Sequence, residues 1–351
     1  MPILDQGYQH WQGTLEGHLW RWLTITRQGA RGVFRNRWVW VTLISACLPA
    51  LILALFLMIW GLFEQKSSVL SPFLFLFQGL PEELRAGPRG YRMVFWTLAF
   101  NQFLDVQLYL AMALVLLVGP DLISQDLRFN ALPLYFARPV RRLDYIAGKL
   151  GVIAAFVGIV MIVPVLLAYG LGLGFSLDPK VLSDTWRVLA ASLAYCSIVV
   201  LSSGTLMLAI SSLSRNSRYV GVIWVGIWVV SSVAATVLNQ TIRQDWCPVV
   251  SYTANLTRVR DALLDSKTAW QQLGELKQAG QDQLRQAAGR RGPRHGPFVF
   301  SRSHEPPALE TVGPSQSLDF PWQWSAAALG GLGLLSAWIL AARVRSLDRL
   351  R

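Results

Sequence analysis

Six long apolar runs, separated by polar stretches of very unequal length, dominate the chain. They lie at about 38–63, 94–118, 150–175, 188–213, 219–238 and 322–342. Each is long enough to cross a hydrocarbon core of about 30 Å as a helix. Pro49 and Pro164 fall inside the first and third runs, and Pro49 is an expected kink point. The second run carries Asn101, Gln102, Asp105 and Gln107. The third ends in Gly170, Gly172 and Gly174, and the fourth holds Ser202-Ser-Gly-Thr205, small residues that permit close helix contact. The pattern predicts an all-α polytopic membrane protein with six transmembrane helices.

The flanks add three features. From Leu15 to Arg37 the sequence is amphipathic at helical period. Leu15, Leu19, Trp22, Leu23, Ala30 and Val33 gather on one face, while Arg21, Arg27, Arg31 and Arg35 fall opposite. Such a helix suits the membrane interface, with its arginines toward phosphates, or packs on other protein. Within 64–93, the apolar run 70–77 is too short to cross a bilayer and predicts an interfacial or re-entrant piece. Residues 239–321 form a long segment outside the membrane: Ala254–Ala288 predicts one or two polar helices using Leu256, Val259, Leu263, Trp270, Leu273 and Leu284. The proline-bearing remainder, to Pro321, predicts irregular chain.

Composition agrees. Of 351 residues 53% are hydrophobic and 15% charged, against about a quarter charged in soluble domains. The net charge of +12 would suggest nucleic acid in a soluble chain. Here the basic residues flank apolar runs, so orientation and anionic lipid explain them better. The 15 tryptophans and 9 tyrosines suit a membrane boundary. The three cysteines, Cys47, Cys196 and Cys247, form neither a disulfide framework nor a metal spacing. No early apolar core with a cleavage site opens the chain, so no removable signal peptide is expected. Basic residues concentrate in the N-terminal helix, in 119–149, at Arg215 and Arg218, and in the tail from Arg343. The positive-inside rule therefore puts both termini in the cytoplasm of a cell-membrane protein.

The 119–149 stretch joins the second and third runs and is longer than a hairpin needs. Pro120, Pro133 and Pro139 divide it. It predicts short helical pieces at about Asp121–Asn130 and Pro133–Ala137, a turn at Arg138-Pro139, and Asp144 as cap of the next helix. Physically it is either a basic anchor for two helices or a docking device.

Little catalytic chemistry is left. His10, His18, His295 and His304 lie outside the runs, so a membrane-embedded Ser–His hydrolase or a His-ligated metal enzyme has no residue set. No phosphate-binding Gly-x-x-x-x-Gly-Lys-Ser/Thr loop is present; Ala147-Gly-Lys149 lacks the earlier glycine and runs into Leu150. Asp105 is the one carboxylate deep in a run. With Asn101 and Tyr109 it shares a helix face, either a polar stripe along a translocation path or a helix–helix contact.

Leu122-Ile-Ser-Gln-Asp-Leu-Arg128, Ala131-Leu-Pro-Leu-Tyr-Phe-Ala-Arg-Pro139 and Arg142-Leu-Asp-Tyr-Ile-Ala-Gly-Lys149 together resemble the signature of the ABC-2 family of ATP-binding-cassette transporter permeases. The matching features are Asp126/Arg128, Ala131-Leu132, Leu134-Tyr135, Arg138-Pro139 and Gly148-Lys149; the long 239–321 segment departs from the family pattern. The resemblance implies a homo- or heterodimeric permease joined to two cytoplasmic ATPase subunits. ATP and magnesium would be bound by those partners and not by this chain. It makes the loop a coupling helix, with Leu127, Leu132 and Tyr135 for packing and Asp126, Arg128, Arg138, Pro139, Arg141 and Arg142 for shape and ion pairs. The N-terminal helix would supply a second contact. Two other classes remain open: an ATPase-driven scaffold or force transmitter whose 239–321 segment works on an extracytoplasmic partner, and a proton-coupled carrier using Asp105.

Overall fold

The computed structural model describes residues 20–65, 84, 87–131, 141–176, 178, 180–242, 244, 246–290 and 320–348. Expectations for Leu15, Leu19, the 70–77 run, the Pro133–Ala137 piece, the Arg138-Pro139 turn and the last tail residues lie outside them. No strand occurs among the described residues, and six helices there are long and apolar enough to cross a membrane. The chain is thus an all-α protein of polytopic membrane type.

In order, the elements are α1 (Arg21–Val33), α2 (Arg37–Glu64), a 3₁₀ turn (Pro88–Tyr91), α3 (Arg92–Val118), α4 (Pro120–Arg128), α5 (Arg142–Ser176) and α6 (Lys180–Leu213). The fifth span is α7 (Ser217–Val225), a π turn (Gly226–Val230) and α8 (Ser231–Ile242). A 3₁₀ turn (Cys247–Val250), α9 (Tyr252–Leu264), α10 (Ser266–Arg290) and α11 (Trp322–Asp348) complete the fold.

The helices overrun the apolar runs. α5 opens at Arg142 rather than Leu150, and α6 at Lys180 rather than Val188, because helix geometry continues through polar flanks that hydropathy discounts. Pro49 and Pro164 sit inside α2 and α5, which continue through them. α3 and α6 form the centre, each burying most of its length, while α2, α7–α8 and α11 present broad apolar faces outward. Gln107 of α3 joins three helices, donating to Ala46 O at 3.2 Å and Val160 O at 2.7 Å.

α1 lies against the start of α5 through small residues. Thr26 Oγ1 donates to Gly148 O at 2.9 Å, and any Cβ at Gly148 would stand 2.7 Å from Ile25 Cβ. The inward stripe is Trp22, Ile25, Thr26, Gly29, Ala30 and Val33. Leu23, expected on that stripe, faces out, since it follows Trp22 by about 100° and the glycine seam on α5 is narrow. Arg27, Arg31 and Arg35 are exposed, as the periodicity predicts.

The other difference concerns the long segment after the fifth span. Instead of leaving the bundle at 239, the chain turns back. Ser232 Oγ lies 2.7 Å from Thr253 Oγ1, and Tyr252 OH lies 2.8 Å from Ser202 Oγ of α6. α9 thus packs among α3, α6 and α11, with Tyr252, Leu256 and Val259 buried; Leu263, expected to pack, is exposed.

Candidate functional site

The second span does not end at the loop; it bends and continues as α4. Pro120 has no N–H and its ring crowds the preceding turn, so the helical ladder breaks there. Ser211 of α6 repairs the break: its Oγ accepts from Ile123 N at 3.2 Å and Ser124 N at 3.0 Å and donates to Pro120 O at 2.9 Å. Ser124 Oγ also meets Ser217 Oγ of α7 at 3.0 Å. Gly119 makes the close approach possible, because a Cβ there would fall 2.2 Å from Met207 Cγ.

α4 is tied to α5 through one carboxylate. Lys149 Nζ lies 2.7 Å from Asp126 Oδ2, and Tyr145 OH donates to the same oxygen at 2.7 Å. Both Lys149 and Asp126 are largely buried, and the ammonium also stands 5.5 Å from the Tyr145 ring centroid. α4 closes with Asn130 in the left-handed conformation (φ 50°), Ala131 N donating to Asp126 O at 2.8 Å. That is a Schellman-type stop. Arg141 N donates to Asp144 Oδ2 at 3.2 Å, so Asp144 sits inside the first turn of α5 and reaches back, rather than preceding the helix as its cap.

The predicted loop residues divide into two groups. Asp126 and Leu127 turn toward the bundle; Arg128, Arg141 and Arg142 stay exposed. With them stand Phe129, 71% exposed under the Arg128 guanidinium, and Leu143, 76% exposed. Neither apolar residue stood out in the sequence. Leu132, Tyr135, Arg138 and Pro139 lie outside the described residues. Trp22 faces α5, so of the interfacial-helix set only the arginines line the outer face.

Asn101, Asp105 and Tyr109 do share one stretch of α3, with Asn101 buried and Tyr109 half exposed. Asp105 is not unpartnered. Arg260 of α9 donates to Asp105 Oδ1 at 2.5 Å and to Asp261 Oδ1 at 3.1 Å, and its side chain is only 6% exposed. This pair sits midway along α3.

A second buried charge cluster closes the opposite end of the bundle. Arg92 reaches Glu64 at 2.6 Å, Asp184 at 2.9 Å and Asp178 at 3.3 Å, and Trp60 Nε1 donates to Glu64 at 2.5 Å. Outside the spans, the Lys180 backbone N–H and then the Arg92 guanidinium hold the Asp178 carboxyl below the usual carboxylate range. The only trace in sequence was position: Glu64 ends one apolar run and Arg92 opens the next. Among the described residues no cluster of His, Cys, Asp and Glu is arranged to hold a metal ion.

No protein-family model and no curated protein matches this chain.

Proposed function

We propose that this chain is the membrane-spanning subunit of an ATP-binding-cassette exporter of the ABC-2 kind, driven by separate cytoplasmic ATPase subunits and working as a dimer with a second copy or a paralogue. The observation that carries this reading is the bracing of α4 between its neighbours. α4 is a direct continuation of a central span, pinned to α6 by Ser211 and to α5 by Asp126–Lys149. Its outer side offers Arg128 and Phe129, beside Arg141 and Leu143. A docking protein that pushed on this patch would move three spans through short, buried contacts. A mere anchor needs no such bracing. On this reading both termini and the patch are cytoplasmic, in keeping with the basic residues around them. Arg260 already neutralises Asp105, which weighs against a proton-coupled carrier.

The test is a pull-down of the full chain in mild detergent, followed by ATPase assays in liposomes. An ATP-binding-cassette subunit should co-purify, while the chain alone hydrolyses nothing. Arg128→Glu and Phe129→Ala should each release that subunit without loss of membrane insertion. Retention of the subunit by both variants, or no ATPase in the pull-down, overturns the proposal.

A further inference from the structure

α1 and α2 meet at a short corner, residues 34–36. Asn36 is extended there, and its side chain accepts from Trp38 N at 3.0 Å, so α2 starts afresh at Arg37. Trp40 Nε1 donates to Phe34 O at 3.0 Å, and the Phe34 ring stands 5.7 Å from Trp40 and 4.8 Å from Phe156 of α5. The corner is thereby held against the bundle. Arg31, Arg35 and Arg37 nevertheless stay exposed around it, with Arg27 one turn back along α1. No Asp or Glu occurs between Trp20 and Phe63, so neither element offers these arginines a carboxylate.

Beyond the cations the outward side of α2 is aliphatic. The Arg37 guanidinium lies 5.7 Å from the ring centroid of Trp38. Trp38 and Trp40 are both exposed in the first turn of α2, where indoles favour a membrane boundary. Val41, Ile44 and Leu48 follow Arg37 at helical spacing and are all exposed, while Val39, Ala46 and Leu53 are buried in the bundle. From Arg37 to Leu48 the helix axis advances about 16 Å at 1.5 Å per residue, close to half of a hydrocarbon core of roughly 30 Å. Along this strip the order of groups is guanidinium, indole, then one leaflet's depth of hydrocarbon.

We infer that the α1–α2 corner holds an anionic phospholipid, its phosphate at Arg35 and Arg37 and one acyl chain along Val41, Ile44 and Leu48. Guanidinium forks suit phosphate oxygens. An acidic protein surface would answer the arginines but leave the strip beyond them uncovered. A second copy related by a two-fold axis would set arginines against arginines. The inference needs only the spanning helices and stands whether or not an ATPase drives the protein.

The test is native mass spectrometry of the full chain in detergent with three probes: dioleoyl phosphatidylglycerol, dioleoyl phosphatidylcholine, whose choline offsets the phosphate, and glycerol phosphate, which lacks the chains. Phosphatidylglycerol should be retained well above phosphatidylcholine, and glycerol phosphate not at all. Arg35→Gln and Arg37→Gln should each weaken retention about fivefold, and the double variant about 25-fold, as expected for one and two cations beside an anionic headgroup. Arg215→Gln combined with Arg218→Gln removes the same charge from the exposed start of α7 and should leave retention unchanged. Thermal unfolding in the same detergent checks the fold of each variant; if the Arg35/Arg37 double variant unfolds, the wild-type preference between the two lipids decides. Equal retention of the two lipids overturns the inference. So does an equal loss in the Arg215/Arg218 control, binding of glycerol phosphate as well as phosphatidylglycerol, or an ATPase that the Arg35/Arg37 double variant releases while lipid retention stays the same.

Discussion

Replacing Arg260 by glutamine should damage the protein more than replacing Asp105 by asparagine. The two substitutions remove the same ion pair but leave different remainders. Without Arg260, Asp105 and Asp261 are left together at the middle of the bundle with no cation between them. Removing one partner of a buried pair costs about 3–5 kcal/mol. The Asp105 side chain is 37% exposed, so the lower end of that range applies. Without the Asp105 charge, Arg260 keeps Asp261 at 3.1 Å, and the asparagine oxygen still accepts from Nη1. The loss is then that of a weakened hydrogen bond, about 1 kcal/mol. The double variant should recover about 1–2 kcal/mol relative to Arg260→Gln alone, because Asp105 no longer needs its cation. Equilibrium unfolding of the full chain in detergent, followed by tryptophan fluorescence, gives all three values in one cycle. Equal costs for the two single variants, or strict additivity in the double, would refute the pairing.

Three further outcomes follow from the same geometry. Gly119→Ala should cost about 1–3 kcal/mol through overpacking on Met207, and Met207→Ala should cost less in that background than alone, read by the same unfolding cycle. Lys149→Met should destabilise by about 3 kcal/mol, because it strands the buried Asp126; the exposed Arg128→Gln should change stability by less than about 0.5 kcal/mol while weakening partner capture. Acid should loosen the Arg92 cluster. Since the folded Asp178 carboxyl titrates below its unfolded value of about 3.9, its contribution is complete above that pH and is lost as pH falls through the lowered folded value. Asp178→Asn should flatten that part of the acid limb in a pH series of melting temperatures.

Hydropathy and proline spacing were enough to read the spans and a short helical piece beginning at Pro120, since both depend on local physics: transfer of a continuous apolar run, and a missing N–H. The exposed side of α1 was also readable, as Arg27, Arg31 and Arg35 show. Partners were not. Arg260 lies 155 positions from Asp105, in a short polar helix that its composition alone would place in water. Nothing in its neighbourhood betrays that the chain turns back after α8. Ser211 is equally silent, one hydroxyl in a serine-rich helix end whose value comes only from a helix break elsewhere. Leu23 shows the complementary limit: periodicity fixes the angle of a side chain but not the width of the groove awaiting it.

The two central spans are fastened to each other twice. At one end Arg92 of α3 holds Asp184 of α6; at the other Ser211 of α6 holds the backbone where α3 bends into α4. The fastenings are separated by the length of α3, 27 residues, or about 40 Å at 1.5 Å per residue. A pair of rods joined at both ends resists sliding and relative rotation, and responds to a sideways load by tilting as one strut. Any displacement begun at α4 then reaches the Arg92 end with its sign reversed, about whatever fulcrum the surrounding helices supply. Cutting either fastening should let the two rods slide or rotate past one another at that end while the other end stays joined.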